Sequence, residues 1–377
     1  MPTLFRPLAA LLLLPALALA QASLPAEASY IAGQQTTGSF PLVAGGQAAP
    51  LYLGADEWPG VQRAAHDLQA DINRVTGRTP TLRTVAPTAG QQPVVLVGTL
   101  GHSALIDELV RGGKLDAGAL RGKWEKFVVQ AVDNPLPGVA RALVVAGSDK
   151  RGTIFGLYDL SAQMGVSPWY WWADVPVRHQ KSLYVAAGAH TLGEPKVKYR
   201  GIFINDEAPA FAGWAKEKFG GVNHAVYGHL FELILRLRGN YLWPAMWGNM
   251  FAVDDPQSPA LADEYGVVMG TSHHEPLTRA HEEWKVSGHG PWNYQTNDTT
   301  LRRFWRQGMR RMGHRENIVT IGMRGDGDEP MSQESNIALL EKIVADQRQI
   351  IAEETHKPAD QTPQMWALYK EVQDYYD

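Results

Sequence analysis

Apolar and polar residues recur along the first half of the chain at spacings that predict helices and short buried strands. One apolar face repeats every three or four residues, as in an amphipathic helix, at Val61, Ala64, Ala65, Leu68, Ile72 and Val75. Gly77 is placed to end that helix. The run "PVVLVGTL" (93–100) is typical of a buried strand. A few strands with intervening helices predict a small α/β domain over residues 24–195.

The pattern changes at about residue 198, where apolar runs and amphipathic segments begin to alternate regularly. The run 318–323 is predicted to be a strand, and Asp298 is predicted to cap the helix before it. Each run ends in polar or aromatic residues, and regular βα units imply a parallel sheet. A (β/α)8 barrel carries its active site at the carboxyl ends of its strands and typically needs ~250 residues. With about five units, we expect residues 198–377 to be a partial (β/α)8 barrel, truncated in this chain.

Composition and charge exclude some classes of partner and some kinds of chemistry. The 377 residues carry a formal net charge of −4 and include no cysteine. This charge gives no reason to expect nucleic acid or an anionic membrane as partner, and disulfides and thiol nucleophiles are excluded. Residues 1–20 have the positive start, apolar stretch and Ala18-Leu19-Ala20 ending of a signal peptide, with cleavage after Ala20. We therefore expect a periplasmic or secreted protein.

The segment "VSPWYWWADVPV" (166–177) concentrates three tryptophans and a tyrosine within four positions. Aromatic rings of this kind fill the seam between packed units, and they also stack on sugars. Packing is the favoured interpretation here, and a ring that lines a nearby sugar site is the alternative.

Carboxylate side chains follow several of the predicted strands in the second half of the chain. Hydrolysis of a glycosidic bond needs two carboxyl groups that flank the bond. The predicted strand ends supply acidic residues at Asp206, Glu207, Glu275, Asp326, Asp328, Glu329 and Glu371. Spacing in the sequence does not choose a pair, because the relevant distance is spatial. Arg324 adds a cation able to hold a carboxylate, which would suit an acidic sugar.

Other polar and aromatic residues in this half of the chain are candidate substrate contacts. They can supply hydrogen bonds or stacking, and they comprise Asn205, Tyr227, Trp247, Asn249, His273 and His274. Structural roles compete with each interpretation: Asp206 and Glu207 can cap the next helix, and the Asp326–Glu329 cluster can be a solvated turn. No HExxH or EF-hand spacing is present, so we expect no metal and no other cofactor.

Several long motifs together resemble glycoside hydrolase family 115. They occur in order and are "GIFINDEAP", "NYLWPAMWGN", "MGTSHHEP", "GMRGDGDEPM" and "ALYKEVQDYY". The stretch "GSDKRGTIFGLYDLSAQMGVSPWYWWADVPV" resembles the end of the family's N-terminal domain. The resemblance implies an inverting xylan α-1,2-glucuronidase, which removes glucuronic acid or its 4-O-methyl ether from glucuronoxylan or its oligosaccharides. It also implies an α/β domain followed by a (β/α)8 barrel and further C-terminal domains.

The same resemblance implies roles for individual residues. Asp328 and Glu371 look like essential acidic residues, with Asp206 and Asp326 nearby, and Arg324 looks like a contact to a substrate carboxylate or hydroxyl. A homodimer of the full-length form belongs to the same expectation. Two alternatives stay open, namely a non-catalytic carbohydrate-binding protein and another exo-glycosidase such as a hexosaminidase.

Overall fold

The computed structural model describes residues 29–87, 90, 93–205, 208–331 and 336–367. The predicted signal peptide lies outside these ranges, as do three of the candidate acidic residues, Asp206, Glu207 and Glu371. Within the described ranges, no helix combines the length and the apolar character that crossing a bilayer requires.

The first half of the chain forms two sheets covered by helices. Its elements are β1 (Ile31–Ala32), β2 (Phe40–Ala44), β3 (Gln47–Ala48), β4 (Leu51–Tyr52), α1 (Pro59–Thr76), β5 (Leu82–Arg83), β6 (Val94–Thr99), α2 (Ala104–Arg111), β7 (Phe127–Leu136), β8 (Val139–Gly147), α3 (Lys150–Gln163), β9 (Leu183–Val185) and β10 (Ala189–His190). The larger sheet has the order β10-β7-β8-β6-β4-β5, and the smaller, antiparallel one has the order β1-β9-β2-β3. In the larger sheet β5, β4, β6 and β8 run parallel, while β7 and β10 are antiparallel to their neighbours.

Helix α1 confirms the predicted apolar face. All six of the residues that define the face are fully buried in the main core. Gly77 has φ 69°, and its N–H donates to the Asn73 carbonyl at 2.7 Å, so the helix ends in the left-handed conformation that glycine adopts without strain. Periodicity alone therefore located this helix and the side that it buries.

The second half alternates strands and helices as predicted. Its elements are β11 (Gly201–Phe203), α4 (Ala210–Phe219), α5 (His224–Arg236), β12 (Tyr241–Trp243), α6 (Gln257–Tyr265), β13 (Val268–Met269), α7 (Glu282–Ser287), α8 (Tyr294–Met312), β14 (Val319–Thr320), α9 (Ile337–Thr355) and β15 (Gln364–Met365). Strands β11, β12 and β13 pair in parallel, as do β14 and β15, and a parallel bridge between Met269 and Asn317 joins the two groups. The mixed α/β class is thus confirmed. Within the described residues the five strands run parallel in sequence order without closing into a barrel.

The predicted strand over 318–323 is shorter in the structure, where β14 holds only Val319 and Thr320. The reason is Gln347 of α9, whose carboxamide accepts from the Gly322 N–H at 2.7 Å and donates to the Gly322 carbonyl at 2.8 Å. Both backbone groups of Gly322 are therefore satisfied by a side chain instead of a neighbouring strand. The apolar run continues into the loop that carries the acidic cluster.

Helix α8 begins earlier than the predicted cap at Asp298. Asn293 is its N-cap, and its side chain accepts from the amides of Gln295 and Thr296. Asn297 interrupts the helical geometry with φ −143°, and Asp298 then accepts from the next amide in the chain. The sequence contains two capping residues, and the first one starts the helix.

The aromatic segment 168–172 packs against helices α4 and α5, in agreement with the favoured interpretation. Trp171 stacks on His229 with ring centroids 3.8 Å apart, and Trp172 contacts Trp214 at 5.4 Å. The Tyr170 hydroxyl donates to Glu232 at 3.0 Å. These rings therefore join the first half of the chain to the helices that follow β11.

A group of charged and polar residues around the buried Glu125, here called the amino-end cluster, comprises Glu125, Arg151, Arg200, Asn240 and Glu316. The Glu125 carboxylate is fully buried and accepts from Arg151 Nε at 2.5 Å, Arg200 Nη2 at 2.5 Å and Asn240 Nδ2 at 2.7 Å. Arg151 also donates to Glu316 at 2.6 Å and to the Gly266 carbonyl at 3.2 Å. The residues that Glu125 and Arg151 contact lie just before four parallel strands: Arg200 before β11, Asn240 before β12, Gly266 before β13 and Glu316 before β14. The first half of the chain therefore holds the amino ends of these strands.

Candidate active site

The candidate site lies at the opposite, carboxyl ends of these strands and is centred on Asp328. Its Oδ1 lies 2.8 Å from Arg324 Nε and accepts a hydrogen bond from His273 Nε2 at 2.9 Å. His273 Nδ1 lies 2.8 Å from the Ser272 hydroxyl, so the imidazole is held through both ring nitrogens. A guanidinium and an imidazole thus fix one carboxylate, of which only 13% is exposed.

The backbone of the loop from Arg324 to Glu329 is as closely held as its side chains. Arg324 Nη2 donates to the Asp328 carbonyl at 2.8 Å, and the Gly325 N–H donates to the Glu329 carbonyl at 2.7 Å. Asp328 itself has φ 70°, a left-handed conformation that costs a non-glycine residue about 1–3 kcal/mol. Strain of this kind persists where surrounding contacts impose it, and it is concentrated at functional sites.

Asp326 has a different environment from Asp328 on the same loop. Its side chain is 71% exposed, yet its Oδ1 lies 2.9 Å from Nε2 of His281, which is 2% exposed. The His281 ring packs edge-on against Trp292 at 4.9 Å, and the Trp292 indole donates to the Arg324 carbonyl at 2.9 Å. A buried imidazole therefore holds an exposed carboxylate.

His274 lies between the other two histidines and stays uncharged. Its ring centroid is 4.8 Å from that of His273 and 5.4 Å from that of His281. Burial above all, together with the neighbouring side chains of His273, His281 and Arg324, lowers the pKa of His274 to about 3. Trp247, which is 36% exposed, stacks on the His274 ring at 5.0 Å. The histidines thus form the base on which the exposed Trp247 ring rests.

Glu275 is buried among backbone amides of the segment that follows β13. Its carboxylate accepts from the His281 N–H at 3.0 Å and from the Ser272 N–H at 3.4 Å. Burial raises the pKa of Glu275 to about 7, and the two backbone hydrogen bonds only partly offset this effect. The side chain expected to bind substrate instead fixes the loop that carries the three histidines.

His273, His274 and Asp328 are the residues whose arrangement resembles a metal site. One potential ligand atom from each lies within 4.8 Å of the others. However, the same Asp328 oxygen already lies 2.8 Å from the Arg324 guanidinium, which would repel a cation, and adjacent histidines rarely ligate one ion. The electrostatics therefore favour an anionic or hydroxyl-bearing ligand, and the absence of a metal remains a prediction.

The remaining candidate residues are distributed less closely around this centre. Asn205 follows β11 at the same edge and is exposed, while Asn249 folds back and donates to the Trp247 carbonyl at 2.9 Å. Tyr227 is 1% exposed in α5 and packs against Phe231 and Phe251. The structure therefore gives Tyr227 a packing role, contrary to the expectation that it contacts sugar.

Sequence reasoning missed three residues that shape the site, namely Ser272, His281 and Trp292. His281 contacts Asp326 across 45 positions in the sequence, and Trp292 contacts Arg324 across 32. The only available signal was position, because all three belong to the segment that follows β13 and leads into α8. The carboxyl-end rule pointed to the start of this segment, where Ser272 was not selected beside His273 and His274, and it did not reach His281 or Trp292.

Two comparisons with known proteins bear on this geometry. A sequence profile described as "Glycosyl hydrolase family 115" matches residues 192–377. A solved structure described as a family GH115 4-O-methyl-α-glucuronidase, BtGH115A, with specificity for decorated arabinogalactans, is 32% identical. It superimposes with a TM-score of 0.79 over 89% of this chain and 44% of its own. The chain belongs to glycoside hydrolase family 115.

The chain spans 44% of the length of BtGH115A, so it is similar to one part of a longer protein. A chitobiase from Flavobacterium johnsoniae, FjGH20, superimposes with a TM-score of 0.50 at 10% identity, covering 92% of this chain and 53% of its own. This second likeness concerns the fold alone. No curated protein matches the chain.

Proposed function

We propose that the protein is an exported, inverting glycoside hydrolase that removes α-1,2-linked glucuronic acid, or its 4-O-methyl ether, from glucuronoxylan. Membership of family 115 and the likeness to a 4-O-methyl-α-glucuronidase support hydrolysis of a glycosidic bond. Support for the acidic sugar comes from that relative's described activity and from the motifs that the chain shares with the family.

One observation carries the proposal: two carboxylates of one loop, Asp326 and Asp328, lie at the carboxyl ends of parallel strands, each against an imidazole. This is the position at which parallel α/β folds carry catalytic groups. Asp328 is fixed by Arg324 and His273 before substrate arrives, as preorganised electrostatic catalysis requires. A carbohydrate-binding module would need rings and hydrogen bonds, but no strained and doubly held carboxylate.

Glycoside hydrolysis divides the work between a proton donor and a carboxylate that activates water. Asp328 belongs to this pair in our proposal, and its partner is sought among Glu371, Asp206 and Asp326. Inversion requires the two carboxyl groups to be about 6.5–9.5 Å apart, so that water fits between them. Arg324 directs Nε and Nη2 to Asp328, so we assign it first to holding that residue and only then to substrate.

The wider architecture belongs to the same proposal. The five parallel strands β11–β15 would be the first part of a (β/α)8 barrel spanning residues 198–377 and beyond, after an N-terminal α/β domain of residues 24–195. Their sequence order supports this, because a barrel adds its strands one after another. Export rests on the signal-peptide pattern of residues 1–20. A homodimer of the full-length form also remains a proposal.

The polymer that carries the sugar has a second candidate, decorated arabinogalactan, which BtGH115A is described as preferring. The two polymers can share a terminal α-linked 4-O-methylglucuronic acid and differ in the chain behind it. We place glucuronoxylan first because the resemblance of the motifs extends to xylan-acting members of the family.

The test is to incubate the purified protein, in the longest form that its reading frame encodes, with aldouronic acids from glucuronoxylan and with decorated arabinogalactan. Release of 4-O-methylglucuronic acid, detected by proton NMR first as the β anomer, is expected from the inverting mechanism. Asp328→Asn and Glu371→Gln are expected to abolish release while circular dichroism stays unchanged.

Three outcomes would contradict parts of the proposal. Full activity in both variants would remove these carboxylates from the mechanism. Release of N-acetylhexosamine instead of uronic acid would favour a hexosaminidase. Calorimetric binding of both oligosaccharides without any released sugar would favour a non-catalytic carbohydrate-binding protein.

A further inference from the structure

Acidic residues are absent from three long segments of the first half of the chain. Asp and Glu make up 39 of the 377 residues, yet none lies within residues 29–55, 72–106 or 175–193. Exposed cations that lie among such segments keep their charge uncompensated, and they create a local positive potential at the surface. Because the chain as a whole has a net charge of −4, a positive surface of this kind differs from its average character.

The fold brings the three segments together. Strand β9 of the third segment lies between β1 and β2 of the first segment in the smaller sheet. The Gln180 N–H donates to the Val75 carbonyl at 2.9 Å, which joins the third segment to the last turn of α1 in the second. Arg78, just after that helix, lies beside Gly46 in the turn between β2 and β3. The surroundings of the loop 178–182 are therefore largely free of acidic residues.

This loop presents two cations to solvent, Arg178 and Lys181. Both residues are exposed, and neither forms an ion pair with any residue in the described ranges. An open hollow of about 480 Å³ is lined by Gly33, Gln34 and the loop 178–182. Its volume falls within the range of ligand clefts, about 300–1,000 Å³. The hollow thus combines uncompensated positive charge with carboxamide and hydroxyl groups that can bind the hydroxyls of a ligand.

The backbone of the loop is held at its two ends and in its middle. Before the loop, Val177 packs against the main core, and after it, Leu183 begins β9. In the middle, Gln180 is fixed through its N–H and also through Nε2, which donates to the Met164 carbonyl at 3.4 Å. The two cations lie on either side of Gln180. A loop that is already shaped in this way needs less ordering when a ligand binds.

We propose that this hollow, here called the cationic hollow, binds uronic acid groups of an acidic polysaccharide, outside the candidate active site. Arg178 and Lys181 pair with the sugar carboxylates, and the polar groups of Gln34 and Gln180 bind hydroxyls. The hollow contributes attachment and no bond cleavage, because a second contact on one polymer raises the effective concentration of that polymer at the active site. The choice of a polysaccharide among polyanions rests on the proposed function, which supplies a carboxylate-bearing polymer as substrate.

The test compares two double variants in the longest form that the reading frame encodes. Arg178→Gln with Lys181→Gln removes both charges, and Arg178→Glu with Lys181→Glu reverses them. Affinity electrophoresis in gels that contain glucuronoxylan measures the dissociation constant. From the contribution of exposed ion pairs, we expect it to rise by about 2- to 30-fold in the first variant and further in the second. The difference should vanish near 1 M salt, where the screening length is about 3 Å.

The matched control is Arg303→Glu with Lys357→Glu. Both residues are exposed in the second half of the chain and form no ion pair within the described ranges, so the net charge changes as in the reversed variant. The control is expected to keep native affinity for glucuronoxylan, and all variants should behave alike with xylan stripped of its uronic acids. Equal weakening in the control and in the reversed variant would overturn the inference, because net charge alone would then explain it.

Binding in gels requires no turnover, so this inference and the proposed function can fail separately. If the native protein releases no uronic acid, the proposed function fails, while a loss of glucuronoxylan binding confined to the hollow variants still supports the hollow. In an active protein, the reversed variant should raise KM for the polymer and leave kcat, and KM for a short aldouronic acid, unchanged. Native affinity in both hollow variants at low salt would overturn the inference in either case. A larger loss of affinity for duplex DNA than for glucuronoxylan would also overturn it, in favour of nucleic acid.

Discussion

Replacement of Glu125 by glutamine is the sharpest test of how the two halves of the chain are joined. The substitution keeps the shape of the side chain and removes its charge. It leaves an amide group facing two guanidinium groups, those of Arg151 and Arg200, which were each 2.5 Å from the carboxylate. With the glutamine oxygen at the original Oε1, the contacts from Arg151 Nε and Asn240 Nδ2 can be retained, but without the negative charge, and the amide nitrogen at the Oε2 position then faces Arg200 Nη2.

The expected cost follows from burial. The Glu125 side chain is fully buried and that of Arg151 is 6% exposed, so water cannot replace the lost interactions. Removal of one partner from a buried ion pair typically costs about 3–5 kcal/mol, because the remaining charge is left uncompensated. Arg151 keeps Glu316, and Arg200 is 24% exposed and can be partly hydrated, so we expect the lower end, about 3 kcal/mol.

Urea denaturation followed by tryptophan fluorescence measures the change in the free energy of unfolding. The matched control is Lys123→Met, which removes a pair with Glu194 whose atoms are 3.8 Å apart and whose side chains are 44% and 41% exposed. An exposed pair of this kind contributes about 0–1 kcal/mol. If Glu125→Gln costs no more than Lys123→Met, the amino-end cluster does not stabilise the protein and the reasoning is refuted.

Three further predictions concern the candidate site and the ends of elements near it. Because burial raises the pKa of Glu275 to about 7 from 4.5, its contribution to stability is complete below pH 4.5 and is lost as the pH rises through about 7. In the native protein the free energy of unfolding, measured by urea titration, should therefore fall by about 3 kcal/mol between pH 4.5 and about pH 8. In Glu275→Gln this fall should be absent, because the side chain no longer titrates. Gly322→Ala should lower the thermal midpoint of unfolding more than Gly101→Ala. Both glycines have positive φ, but of the two only Gly322 would place a Cβ 2.7 Å from the Trp366 indole nitrogen. Equal shifts in the two variants would contradict this. Asn293→Ala should lower the free energy of unfolding by about 1 kcal/mol, and Asp298→Ala should lower it by less. A larger loss for Asp298→Ala in denaturation experiments would show that Asp298 is the cap, as the sequence predicted.

Local elements were predictable from the sequence because their signals are local. The apolar face of α1 and its terminal glycine follow from contacts three or four residues apart, and the structure confirms them. The alternation of strands and helices after residue 198 likewise gave the parallel order of β11–β15. The end of β14 was not predictable, because it depends on Gln347, which reaches Gly322 from a helix 25 positions later.

The candidate site was predictable as a place but not as a set of contacts. The carboxyl ends of the strands identified His273, Asp326 and Asp328, which the structure brings together. The same rule also selected Glu275, which the structure buries in backbone hydrogen bonds, and Tyr227, selected for its aromatic and polar side chain, is buried in packing. Residue type and position relative to a strand cannot distinguish these cases, because both depend on which way a side chain points in three dimensions.

Charged residues border both ends of the parallel strands, and exposure separates the two groups. Before the strands, Glu125 is fully buried with its hydrogen bonds satisfied by the protein, so its charge is used in holding two parts of the chain together. After the strands, Asp326 has one buried partner and 71% of its side chain exposed, so its carboxylate is accessible to a ligand. The amino-end cluster fixes where the strands begin, and short strands of two or three residues leave little room for their ends to shift. We therefore expect the positions of the carboxylates at the candidate site to depend on an ion-pair network at the other end of the same strands.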